Sequence, residues 1–143
     1  CGMGRHSKYL ASLGFKVDAL DISSVAIEQL QNIPNINAKE VDFDTYTLPK
    51  EHYDLIVCTY FLERRLFPQI IEALRPNGII LMETFLYDPE NDRKPSNPAF
   101  LLKKGELETT FGERFELLHI LEFWDVDYKG FKTKKTSMVA RKK

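Results

Sequence analysis

The run Tyr53-Asp54-Leu55-Ile56-Val57-Cys58-Thr59 constrains this chain more than any other stretch. It is short, almost unbroken in apolar side chains and β-branched at its centre, the pattern of a strand covered on both faces. Strands of that kind belong to parallel sheets, whose crossover connections are usually helices. The neighbouring sequence supplies them. Residues 7–13 set Tyr9, Leu10 and Leu13 at helical spacing, with Gly14 as a C-terminal cap. Residues 15–20 read as a strand. Ser23 is an N-cap for a helix through Gln31, with Val25, Ile27 and Leu30 for its core face; Asn32, Pro34 and Asn35 end it. Residues 38–41 suggest a short strand, 66–74 an amphipathic helix, 76–78 a turn and 79–83 a second buried strand.

Beyond residue 83 the pattern changes. Residues 86–100 carry three prolines and read as a long loop, a class usually functional when it occurs in a compact domain. A short helix at 105–111, a long strand at 115–124, a turn at 128–130 and a last strand at 136–140 complete the chain. The expected fold is therefore α/β, with a mostly parallel sheet closed by a C-terminal antiparallel hairpin. With 143 residues, 43% of them hydrophobic, residues 1–143 are expected to form one domain.

The charge is balanced: 20 basic against 21 acidic residues, a net of −1. No global field recruits nucleic acid or an anionic membrane. Lys132, Lys134, Lys135, Arg141, Lys142 and Lys143 concentrate at the end and read as a solvated edge strand and tail, since lysines on an edge discourage further pairing. Cys1 and Cys58 show neither metal-ligand spacing nor a disulfide framework, which suits a reducing cytoplasm. No signal peptide or membrane-spanning apolar run is visible.

A functional constellation runs through the first half. Cys1-Gly2-Met3-Gly4-Arg5-His6-Ser7 stands directly before a helix, where glycines let the backbone bend and approach a ligand. Asp21 closes the next strand, where a carboxylate can accept both hydroxyls of a ribose. Asp42 closes the one after, positioned to accept from an adenine amino group. Ile22 and Phe43 follow these carboxylates and can sandwich a flat base. Singly these are a turn and two helix caps; in order, at successive strand ends, they describe a nucleoside site.

The sequence resembles the class I S-adenosylmethionine-dependent methyltransferases over nearly its whole length, and is most similar to small bacterial enzymes of the tellurite-resistance type. CGMGRHS resembles their glycine motif, LDIS the ribose-binding strand end and VDFD the adenine-binding one. YDLIVCTYFLER resembles the fourth strand with its cofactor-lining end, and ALRPNGIILMETF the helix, turn and strand that follow. FLERRLFP, ETF and NPAFLLKKGEL match later, less specific motifs. The resemblance implies S-adenosylmethionine as cofactor, with Gly2, Gly4, Arg5 and His6 around its methionine half, Asp21 on the ribose, Asp42 on the adenine, and backbone near Cys58 with Tyr60 closing the sulfonium side. It also implies a Rossmann-like three-layer sandwich and a small-molecule acceptor. Tyr60, Arg64, Glu83, Asn97 and Glu106 are candidates for the acceptor pocket, Glu83 because it ends an apolar strand at the ligand edge; no metal, nucleic acid or membrane partner is expected. Arg64 could bind an anionic substrate or be a surface arginine.

In that family the glycine motif follows a first strand, whereas this chain opens at Cys1. The first strand is therefore expected to be absent from an N-terminally incomplete domain. It would lie between the strand ending at Asp21 and the strand 53–59, keeping Val17–Leu20 and Leu55–Val57 from pairing directly.

Methyl transfer from a sulfonium is an in-line displacement with an activated leaving group. Alignment supplies roughly 7–11 kcal/mol, and a base is required only by a protonated nucleophile, so no catalytic residue is assigned. A nicotinamide-dependent oxidoreductase would need a third glycine where Ser7 stands. A non-catalytic module with the same fold has less reason to hold both Asp21 and Asp42. Asn97-Pro98-Ala99-Phe100 resembles the motif of nucleic-acid amino-methyltransferases, but follows the fifth strand rather than the fourth.

Overall fold

The computed structural model describes residues 4–93 and 97–143, so Gly2 lies outside the described residues. The chain divides into two compact units, Cys1–Thr47 and Leu48–Lys143.

The first unit runs α1 (Arg5–Ser12), β1 (Val17–Asp21), α2 (Ser24–Glu28) and β2 (Ile36–Glu40). β1 and β2 form a parallel ladder from Val17↔Ile36 to Asp21↔Glu40. Ser23 caps α2 as its sequence position requires, its Oγ accepting from the Ala26 N–H at 3.3 Å. The helix is shorter than its periodicity suggests. Ile27 and, in the turn beyond it, Leu30 are buried, whereas Val25 is 61% exposed and not a core residue. With only five residues in α2, the buried stripe reduces to Ala26 and Ile27.

The second unit contains β3 (Tyr53–Thr59), α3 (Phe67–Ala73), β4 (Leu74–Phe85), α4 (Glu106–Phe111), β5 (Phe115–Val126) and β6 (Lys132–Lys142), with 3-10 turns at Arg64–Leu66 and Pro98–Phe100. Its sheet has the order β3-β4-β6-β5. β3 and β4 are parallel; β6 is antiparallel to both β4 and β5. This is the parallel-then-hairpin arrangement expected from the sequence. β1 and β3 belong to different sheets.

Three expectations change in detail. The turn at 76–78 is an excursion within β4: pairing jumps from Tyr53↔Leu74 to Leu55↔Ile79, and Asn77 takes φ 69° to allow it. β3 is not covered on both faces within its unit; Leu55, Ile56 and Val57 are half-buried. Its partner β4 shows why: Ile80, Met82 and Thr84 are buried while alternate residues Ile79, Leu81 and Glu83 are only half-buried, so one face of this sheet carries the core. The basic segment is not a solvated edge. β6 is an inner strand and β5 the outer one. Lys135 and Arg141 pair with Asp125 and Glu116 of β5, at 2.6 and 2.7 Å. Lys142 donates to the carbonyls of Ile71 and Leu74.

On the buried face, Phe111 of α4 stands between Phe67 and Phe115, with edge-to-face contacts at centroid distances of 5.5 and 5.4 Å. Phe111 is fully buried, as are Ile80, Met82 and Met138 of the same unit. Truncating such a ring removes its transfer free energy and leaves a cavity. Phe111→Ala is expected to destabilise the second unit by about 3–5 kcal/mol in urea unfolding, whereas Tyr128→Ala, at a 92% exposed position, should stay within about 0.5 kcal/mol. Equal losses would show that the aromatic stack is not the core.

Candidate functional site

Parallel pairing in the first unit sets Asp21 and Asp42 near each other. The Val41 N–H donates to the Asp21 carbonyl at 2.9 Å, one step beyond the ladder, and Asp42 follows directly. The two carboxylates are held alike. Asp21 Oδ1 accepts from the Ser23 N–H and Asp42 Oδ1 from the Asp44 N–H, each at 2.9 Å. These are Asx turns, in which a main-chain N–H two residues on orients the carboxylate. Ile22 stands 64% exposed in the first turn; Phe43, in the second, is half-buried and meets Tyr46 edge-on at 6.5 Å.

Gly4 starts α1 with φ 85°, in the left-handed region. A Cβ at Gly4 would lie 2.3 Å from Leu30 Cδ2, so a side chain here would also force that buried leucine to shift. Arg5 and His6 are exposed on the first turn of α1, with Arg5 Nη2 and His6 Nε2 3.4 Å apart. An open hollow of about 380 Å3 at the opposite, amino end of the ladder is lined by Lys16, Asp18 and Asn35 and holds none of these candidates.

In the second unit the strand ends are again aligned: Thr59 is the register partner of Glu83. Tyr60 follows with φ 55°, unusual for a residue with a side chain and worth roughly 1–3 kcal/mol of backbone strain. The conformation is held at both ends. The Tyr60 N–H donates to the Glu83 carbonyl at 2.8 Å, and the phenol donates to Glu83 Oε2. The ring packs on Phe85 at 5.3 Å. The Lys135 ammonium lies over both rings, 4.9 Å from Tyr60 and 5.6 Å from Phe85, and is anchored on Asp125 at 2.6 Å. Burial first, and the hydrogen bond to Glu83 second, raise the Tyr60 phenol above its ordinary pKa. Lys135 and Asp125 had no signal pointing to a site, because alternate lysines on a strand read as a solvated face. Cys58, two residues earlier on β3, is half-buried; burial pushes its thiol up to about 11, and Sγ donates to the Phe61 carbonyl. It is un-ionised and no nucleophile at neutral pH.

Arg64, Asn97 and Glu106 do come together. With Ala99 and Lys103 they line an open hollow of about 620 Å3. Arg64 is already committed within it. Nε and Nη2 grip Glu106 at 2.6 and 2.9 Å, while Nη1 and Nη2 donate to the Ala99 and Leu101 carbonyls at 2.7 and 2.9 Å. Glu106 Oε1 also accepts from the Lys103 N–H. The arginine is therefore a pin for residues 97–106, which lowers its value as a binder of anionic substrate. Asn97 uses Oδ1 on the Ala99 N–H, forming the turn Pro98–Phe100. Among the described residues no cluster of His, Cys, Asp and Glu could hold a metal ion, and no helix is long and apolar enough to cross a membrane.

The hydrogen bonds from Arg64 depress the Glu106 carboxyl below the ordinary glutamate value. A depressed carboxyl contributes stability above its unfolded-state value, about 4.3, and loses it as pH falls through the folded value. Comparing denaturant midpoints from about pH 7 down to pH 3, Glu106→Gln should lower stability at neutral pH and flatten the acid loss. Parallel curves for the two proteins would mean that the pair carries no stability.

Residues 1–122, which run through both units, match the sequence model of a family described as "Methyltransferase domain". An uncharacterized methyltransferase of Schizosaccharomyces pombe is 36% identical over 62 residues, covering 40% of this chain and 43% of that protein. Among solved structures, TehB from Haemophilus influenzae superposes on all of this chain with a TM-score of 0.85 at 27% identity, over 55% of its own length. The 1,6-didemethyltoxoflavin-N1-methyltransferase of Burkholderia thailandensis, solved with 1,6-didemethyltoxoflavin and S-adenosylhomocysteine, gives 0.70 at 18% identity, over 99% of this chain and 67% of that one, a likeness of fold. The chain thus spans about half the length of TehB and less than half of the yeast relative. With the family match extending over more than four-fifths of its residues, from the glycine motif through both aspartate turns to β5, the chain belongs to the methyltransferase-domain family.

Proposed function

We propose that residues 1–143 act as one S-adenosylmethionine-dependent methyltransferase domain that methylates a small-molecule acceptor. The observation that carries this reading is the pair of identical Asx turns at Asp21 and Asp42, on neighbouring parallel strands downstream of Gly4. Its chemistry fits an adenosyl group. Two carboxylates with fixed orientation accept hydrogen bonds, and an exposed isoleucine and a half-buried phenylalanine lie beside them. When bound, S-adenosylmethionine supplies a methyl group activated by the positive sulfonium.

Asp21 accepts from the ribose hydroxyls and Asp42 from the adenine amino group. Ile22 and Phe43 offer apolar surface to the base. Gly4, with Gly2, Arg5 and His6, is assigned to the methionine half by family resemblance, as are Cys58 and Tyr60 to the sulfonium side. The acceptor role falls first to Glu83, then to Asn97 beside the hollow; Arg64 and Glu106 shape that hollow through their own pairing. Support for a small acceptor comes from the Burkholderia relative, whose structure holds a small molecule together with S-adenosylhomocysteine. A cytoplasmic setting completes the reading, in keeping with the free thiol of Cys58.

Calorimetric titration with S-adenosylhomocysteine tests it. Losing a hydrogen bond to a charged group costs roughly 1.5–3 kcal/mol, so Asp21→Ala is expected to weaken binding about ten- to a hundredfold. Asp18→Ala, at the other end of the same strand, should leave affinity unchanged. Equal affinities for wild type and Asp21→Ala would remove the ribose role.

A further inference from the structure

We propose that Tyr60 and Glu83 form a proton relay that deprotonates the methyl acceptor, so that the preferred acceptors carry a protonated nitrogen, oxygen or sulfur nucleophile. The proposal rests on the methyltransferase reading above, and the two residues it assigns both lie in the second unit. Three observations meet at this pair. Tyr60 holds a left-handed backbone at the carboxyl end of a parallel strand, the side on which α/β sheets bind ligands. Strained residues of this kind concentrate at functional sites, and the outlier here is a residue with useful chemistry. Its phenol is hydrogen-bonded to a carboxylate, the arrangement required for passing a proton from one oxygen to another. Tyr60 as a residue is nevertheless 40% exposed, so the pair is not sealed in the core.

The surroundings explain why the pair works as a relay rather than as a phenolate. Burial and the neighbouring carboxylate keep the phenol protonated. Lys135, held by Asp125, lies over the Tyr60 and Phe85 rings; its hydrogen bond and charge pull the phenol down, against the larger upward effects of burial and of Glu83. In the step, the acceptor's X–H proton passes to the Tyr60 oxygen while the Tyr60 proton passes to Glu83 Oε2. The acceptor's freed electron pair forms the bond to the methyl carbon. The carbon–sulfur bond of the donor breaks, and its electron pair stays on sulfur as a neutral thioether. The proton on Glu83 then leaves to solvent. Charge and atoms balance without an oxidant or a metal.

The test compares two probe nucleophiles, 2-mercaptoethanol, which carries a proton at neutral pH, and iodide, which carries none. Methylated products are followed for wild type, Glu83→Gln and Tyr60→Phe. The relay predicts that the ratio of thiol to iodide methylation falls about a hundredfold or more in each variant, the usual scale of general-base assistance. A ratio unchanged in either variant overturns the relay, including the case in which both reactions fall together because the fold is damaged. A second readout is independent of turnover: by NMR of ring-labelled tyrosine, Glu83→Gln should move the Tyr60 titration down, and an unmoved titration overturns the coupling. Wild type that binds S-adenosylhomocysteine but methylates neither probe overturns the relay and leaves the cofactor reading standing. Wild type that does not bind it overturns the reading as well.

Discussion

Parallel strand pairing is the constraint on which the candidate chemistry depends. A parallel ladder lines up carboxyl ends, so the residues that leave neighbouring strands become neighbours themselves. In the first unit this happens at Asp21 and Asp42 through the β1–β2 ladder. In the second it happens at Tyr60 and Glu83 through β3–β4. The orienting partners differ: main-chain N–H groups two residues on hold Asp21 and Asp42, whereas the Tyr60 and Glu83 side chains hold each other. Orientation is thus built before any ligand arrives, which is how a protein lowers the reorganisation cost of binding and reaction.

The antiparallel half of the second unit serves a different purpose. β6 is wedged between β4 and β5, and its cations are distributed among partners rather than left to solvent. Arg141 neutralises Glu116, Lys142 satisfies the carbonyls that α3 and the start of β4 leave open, and Lys135 reaches Asp125 across the Tyr60 and Phe85 rings. Lys132 and Lys134 lie over Trp124. An inner strand rich in lysine is tolerated because each ammonium meets either a charge, a carbonyl or an aromatic face.

Local signals in the sequence were legible where chemistry acts over a few residues. Ser23 announced its cap, Gly4 a bend before the first helix, and the YDLIVCT run its parallel strand. Asp21 and Asp42 were legible because strand-end carboxylates follow the rhythm of the elements. What stayed hidden depends on pairing between distant segments. Nothing near Arg64 says that its partner is Glu106, 42 residues on. Strand order was equally silent, so β6 read as an edge when β5 is the outer strand. Val25 fits the helical period, yet α2 is too short to bury it. The Tyr60 backbone conformation has no sequence signature, since tyrosine rarely adopts it.

The central claim is that the two aspartate turns make the adenosine half of a cofactor site. The most direct measurement is a crystal structure of the protein with S-adenosylhomocysteine. The account predicts the ribose hydroxyls on the Asp21 carboxylate, the adenine amino group on Asp42, and the base against Ile22. Adenosine bound elsewhere, for instance in the hollow by Lys16 and Asn35 at the amino ends of the same strands, would contradict it.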